Sequence, residues 1–102
     1  MNNVTEEIKL EIKNQVIAYF AEECGRDPQE ITEQTDIIED LEGDSLMLLS
    51  LLEIFRKKYG LTIELKTLGK HLMKKPADTV GQVIELSIQI VQYGDDLINM
   101  AL

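Results

Sequence analysis

Three side chains in this sequence have the makings of a reactive centre: Ser45, His71 and Cys24. Ser45 sits in Gly43-Asp44-Ser45-Leu46, where an apolar, helix-like run begins. Either its hydroxyl attacks a substrate, or another enzyme attaches a group to it. A nucleophilic serine needs a base within hydrogen-bond reach and a third group to orient that base. His71 is the sole histidine, so it alone is available as an imidazole base. Cys24 is the single cysteine, which excludes an internal disulfide or a thiolate metal cluster. It reads as a small hydrophobe near a helix end, in a reducing compartment.

Hydrolases that carry a Gly-Asp-Ser-Leu signature place an aspartate three residues before their catalytic histidine. Here that position is Leu68. Those hydrolases are also longer α/β folds, and this sequence shows no strand pattern. His71 therefore reads as a solvated side chain on a short basic helix. Attachment asks for less. It needs an exposed hydroxyl, a helix N-terminus that welcomes an incoming phosphate, and a recognisable surface beside it. Gly43 allows a tight approach, and Asp44 either caps the helix or faces the modifying enzyme. Asp44 and Ser45 are both good capping residues as well, so these four residues leave capping and attachment open.

The elements that must position Ser45 follow from periodicity. Thr5, with Glu6 and Glu7 in the first turn, starts a helix whose apolar residues are Ile8, Ile12, Val16, Ile17 and Phe20; Gly25 stops it. A long acidic connection runs from Arg26 to Gly43, with Ile31, Ile37, Ile38 and Leu41 tucked onto the core. The second helix is expected from about Asp44 to Tyr59, ended by Gly60. On its wheel Leu48, Leu49, Phe55 and Tyr59 cluster about Leu52 and should face inward. Leu46, Met47, Ser50, Glu53, Ile54 and Lys57 fall on the far side. A short third helix, Leu65 to Met73, stops before Pro76. Asp78 or Thr79 caps the last, whose stripe is Val80, Val83, Ile84, Ile88 and Val91; Gly94 closes it. Residues 95–102 form a tail. The expected fold class is all-α, a small four-helix bundle in one domain spanning 1–102 with its core at about 5–93.

Bulk properties narrow the function. The chain has 102 residues, enough for one modest core, which must be aliphatic because Trp is absent and aromatics make up 5%. No apolar run approaches a membrane span, and the N-terminus lacks a signal-peptide pattern, so a cytoplasmic protein is expected. The net charge of −9 is uneven: residues 1–44 hold thirteen of the nineteen acids and three of the ten bases, and the remainder is close to neutral. Such a balance argues against nucleic acid as a partner.

Three segments in order carry a resemblance. "DIIEDLEGDSL" is similar to the aspartate-rich approach and Asp-Ser-Leu signature of the acyl carrier proteins. "IFRKKYGLTI" resembles the family's end of helix two, and "DTVGQVIELS" its entry into the last helix. The resemblance covers roughly residues 5 to 93. It implies that Ser45 bears a covalent 4′-phosphopantetheine cofactor, with Asp44 and Leu46 completing the recognition motif. The arm would be installed by a phosphopantetheinyl transferase and would hold acyl groups as thioesters for acyl-loading and acyl-processing enzymes. The chain would itself be no enzyme, and a monomer. Only cargo and partners would separate it from a peptidyl or aryl carrier of a non-ribosomal synthetase. A helical interaction module without a prosthetic group is the rival from another class.

One departure from the family stands out. Acids usually lie two, five, eleven and twelve positions after the modified serine; here those positions are Met47, Ser50, Arg56 and Lys57. With Glu53 and Ile54, they suggest an apolar, mildly basic partner surface on a specialised carrier. Lys66, Lys70, Lys74 and Lys75 extend the basic character into the third helix.

Overall fold

A computed structural model describes residues 4–94. Among them lie four α-helices: α1 (Glu6–Cys24), α2 (Ser45–Lys58), α3 (Leu65–Lys74) and α4 (Val80–Tyr93). The expected helical bundle is what forms, and the helix boundaries follow from their caps. The Thr5 hydroxyl accepts the N–H of Ile8 at 3.2 Å and opens α1, while Gly25 closes it at φ +63°, in the left-handed region that favours glycine. Thr79 and Gln82 form a reciprocal capping box at the start of α4. The tail, residues 95–102, lies outside the described residues.

α1 packs against α4, α4 against α2, and α3 chiefly against α2. Ile12, Val16 and Phe20 of α1 and Leu48, Leu51, Leu52 and Phe55 of α2 are buried in one hydrophobic core. Each such large apolar side chain contributes about 1.5–3 kcal/mol relative to exposure. Leu51 extends the inward face of α2 beyond what the wheel predicts. α4 likewise buries Leu86, Ser87 and Ile90 beside its expected stripe, while Ile88 is only half-buried. Wedged between two helices, α4 is covered on more than one face. Ser87 is accommodated because its Oγ donates to the Val83 carbonyl at 2.7 Å. Between α1 and α2, Lys58 Nζ reaches Glu11 Oε1 at 2.8 Å and Gln15 Oε1 at 2.9 Å.

The connection between α1 and α2 is ordered by its own polar groups. After a 3₁₀ turn over Pro28–Glu30, it lies along the first turn of α4. The carbonyls of Thr35 and Glu33 accept the N–H groups of Val80 (3.0 Å) and Gly81 (2.9 Å), and Ile37 N–H donates to the Asp78 carbonyl at 2.9 Å. Two of α4's otherwise unpaired N-terminal donors are thereby satisfied. A Cβ on Gly81 would stand 2.9 Å from the Glu33 oxygen, so only glycine permits this approach. Ile31, Ile37 and Leu41 are buried as expected, but Ile38 is 65% exposed. The Asp36 carboxylate accepts the N–H groups of both Ile38 and Glu39, and the tight turn it forms sends consecutive isoleucines apart.

Candidate functional site

Ser45 is the first residue of α2 and is exposed. Two neighbours hold it there. Asp44, extended at φ −144°, ψ 178°, accepts the N–H of Met47 on its Oδ1 at 3.0 Å and starts the helix. Gly43 donates its N–H to the Ile37 carbonyl at 2.8 Å, and a Cβ there would lie 2.8 Å from Ile37 Cγ2 and 3.1 Å from Met47 Sδ. The glycine is thus required by close approach to the buried Ile37. Glu42, just before it, takes a positive φ of 56°, unusual outside glycine, where the chain turns into the helix.

Beside Ser45 opens a cavity of about 460 Å³ between α2, α3 and the preceding loop. Ile37, Leu48, Leu49, Leu72, Met73 and Ala77 give it an apolar wall, and Asp44 and Ser45 lie at its edge. Such a concave, mostly apolar space with a few polar groups at its mouth suits an apolar ligand. The sequence indicates that the helices are lined with aliphatic residues. It does not indicate that α3 and the segment 76–78 form the facing wall.

Exposed Leu46 (73%) flanks Ser45, and Ile54 (40%) lies two turns further along α2. Ser50 is exposed, next to the Tyr19 phenol. Met47 departs from its expected place on the outward face: it is half-buried, its carbonyl accepting the Tyr19 hydroxyl at 3.0 Å and its sulfur 4.0 Å from that of Cys24. α1 covers that flank of α2, a contact that an isolated wheel does not reveal. Glu53 draws in two of the three bases that follow it, with Arg56 Nε at 3.5 Å and Lys57 Nζ at 3.9 Å. The basic character of this face is therefore partly neutralised within α2.

His71 is buried, 5% exposed, rather than solvated as the sequence suggests. It lies on α3's inward stripe with Leu68 and Leu72, while the lysines take the outer faces. Its Nδ1 has no hydrogen-bond partner. Burial, with Lys75 adding repulsion, lowers its pKa below the usual value of 6.5.

The arrangement fits a covalently attached phosphate-bearing arm. Ser45 presents a hydroxyl at the positive end of a helix dipole, and the adjoining cavity is apolar. Comparisons with known proteins agree. Residues 14–86 match the family model described as the phosphopantetheine attachment site. An acyl carrier protein homolog of Clostridium acetobutylicum is 42% identical over 98% of this chain and 97% of its own. An acyl carrier protein of Saccharopolyspora erythraea is 33% identical over 81% of each chain. One of Thermotoga maritima is 31% identical over 72% of this chain and 84% of its own. The chain belongs to the phosphopantetheine-attachment family, as an acyl carrier protein that carries rather than catalyses. Among the described residues, no helix is long and apolar enough to cross a membrane.

Proposed function

We propose that this acyl carrier protein bears its 4′-phosphopantetheine on Ser45 and delivers acyl thioesters to the enzymes of one dedicated route in fatty-acid-like, lipid or polyketide synthesis. The observation that carries the reading is the exposed hydroxyl at the first position of α2, opening directly on the apolar cavity. When bound, the arm supplies a thiol that holds the acyl group. The chain's own residues do the rest. Asp44 fixes the start of the helix, Gly43 lets the loop approach closely, and Leu46 presents an apolar contact to the transferase.

The partner surface is the outward side of α2: Leu46, Met47 at its edge, Ser50, Glu53, Ile54, Arg56 and Lys57. It lacks the row of acids that such carriers usually present, so its partners differ from the general fatty-acid enzymes. The cavity favours acyl cargo over the peptidyl or aryl groups of a non-ribosomal synthetase. We place the carrier in the cytoplasm as a monomeric single domain. Co-expression with a broad-specificity phosphopantetheinyl transferase, followed by intact mass, is expected to show one added moiety that Ser45→Ala abolishes. An unmodified wild-type chain would remove the assignment.

A further inference from the structure

The bases of this chain divide by element. On α1 and α2, Lys9, Lys13, Arg56, Lys57 and Lys58 each have a carboxylate oxygen at 2.8–3.9 Å. Arg26, just past α1, donates to the Asp40 carbonyl at 3.0 Å. Lys66, Lys70, Lys74 and Lys75 are all exposed, and none of them pairs with a carboxylate among the described residues.

α3 itself, LKTLGKHLMK, contains no acid. Lys66, Lys70 and Lys74 follow one another at four-residue spacing, so each has a like charge one turn away, which destabilises a helix. Lys66 also lies in the first turn, where the helix dipole favours an acid. The dipole accounts for Lys74 and Lys75 at the opposite end, and it leaves Lys66 and Lys70 without an internal reason. The negative charge that offsets them has to come from another molecule. Beside them stands Met73, 84% exposed. Lys66, Lys70 and Met73 all border the cavity next to Ser45, so this face adjoins the proposed attachment point.

Three kinds of occupant compete for it. A bilayer takes a helix by a free apolar face, and α3 has spent its own on the core, where Leu68, His71 and Leu72 are buried. A second copy brings the same net charge of −9, so two chains repel. A protein surface with carboxylates around an apolar socket answers both the lysines and the methionine.

We propose that the outward face of α3 docks a partner protein through an acidic patch that surrounds a socket for Met73. The pairing of Glu53 with Arg56 and Lys57 leaves α2 to supply mainly apolar contact, and α3 the charge. That this partner belongs to the acyl route rests on Ser45 as the attachment point.

The test titrates the isotope-labelled chain, without any arm, with a synthetic peptide of leucine and glutamate, and follows backbone amide shifts. Shifts are expected at residues 65–75 and should vanish at about 1 M salt, where charges are screened beyond about 3 Å. Lys70→Glu should weaken binding at least tenfold, and Lys70→Arg should retain it. The same Lys70→Glu change breaks the row of like charges and should raise the thermal midpoint by about 3 °C, a combination that a structural lysine does not produce. Absent shifts on α3, shifts centred on α2 instead, wild-type binding by Lys70→Glu, or a lowered midpoint would each overturn the proposal. Amide shifts on α3 with phosphatidylglycerol vesicles would give the face to a lipid surface, and salt-sensitive dimerisation in sedimentation would give it to a second copy; either result also overturns it. Since the titrated chain carries no arm, failure of Ser45 to accept one is read separately, by intact mass, and leaves the binding result standing.

Discussion

The carboxylate of Asp44 accepts the backbone N–H of Met47 at 3.0 Å, so the residue that starts α2 is the immediate neighbour of Ser45, the proposed attachment point. Asp44 caps the helix and is proposed to belong to the recognition motif, and two substitutions separate these roles. Asp44→Ala is expected to cost about 1 kcal/mol of stability through the lost cap. Asp44→Asn should keep stability within about 0.5 kcal/mol yet slow attachment of the arm, because the amide caps but carries no charge. Urea unfolding and mass-spectrometric time courses read the two effects independently. Equal attachment rates for Asn and wild type would confine Asp44 to capping.

Gly43→Ala should destabilise the chain. Its new methyl would press on Ile37 Cγ2 at 2.8 Å and on the Ile37 backbone carbonyl at 3.3 Å, and Ile37 is 1% exposed. A loss of about 1–3 kcal/mol is expected, as for overpacking elsewhere. Because the displaced backbone leads into Asp44 and Ser45, attachment should slow as well. Chemical denaturation measures the first effect, and initial rates of mass gain measure the second.

His71 makes stability depend on pH near neutrality. Its pKa is lowered in the folded chain, chiefly by burial, and stands near 6.5 once unfolded. On α2, against which α3 packs, the charged residues are Glu53, Arg56, Lys57 and Lys58; the charge that acts on the ring is Lys75, of like sign to imidazolium. Between the two pKa values the unfolded chain takes up a proton that the folded chain refuses. The stability is therefore fully present above about pH 6.5 and is lost as pH falls below it. His71→Leu should flatten this part of the profile, measured as urea midpoints across that range. An unchanged slope would assign it to other groups.

Ile54→Glu tests the outward face of α2. Ile54 is 40% exposed, so stability should change by no more than about 0.5 kcal/mol. Acyl loading by the cognate enzyme should fall, through a charge placed in an apolar contact. Loading at the wild-type rate would take Ile54 out of the docking surface.

The ends of the helices were legible because each is written in local chemistry: Thr5 and Gly25, Asp44 before Ser45, Thr79 with Gln82. Positions fixed by a neighbouring element were not. Met47 is drawn toward Tyr19 and Cys24 of α1, and Ile90 and Ser87 are buried because α4 has partners on two sides. His71 was misplaced because one imidazole among four lysines reads as polar, although its spacing from Leu68 puts it on the inner stripe. The motif marks Ser45 as the proposed attachment point. The cavity could not, since it exists only where α3 meets α2 and the loop.

The hydrogen bonds that secure Ser45 run from the first turn of α4, through residues 33–37, to Gly43, and none of them passes through α3. Accommodating a larger occupant by displacing α3 would therefore leave Ser45, the proposed anchoring point of the arm, in register with α1, α2 and α4. Every enzyme that meets the carrier would find the tether at the same address, whatever it bears. To judge the size of the load before accepting it, a partner would have to sense the position of the third helix.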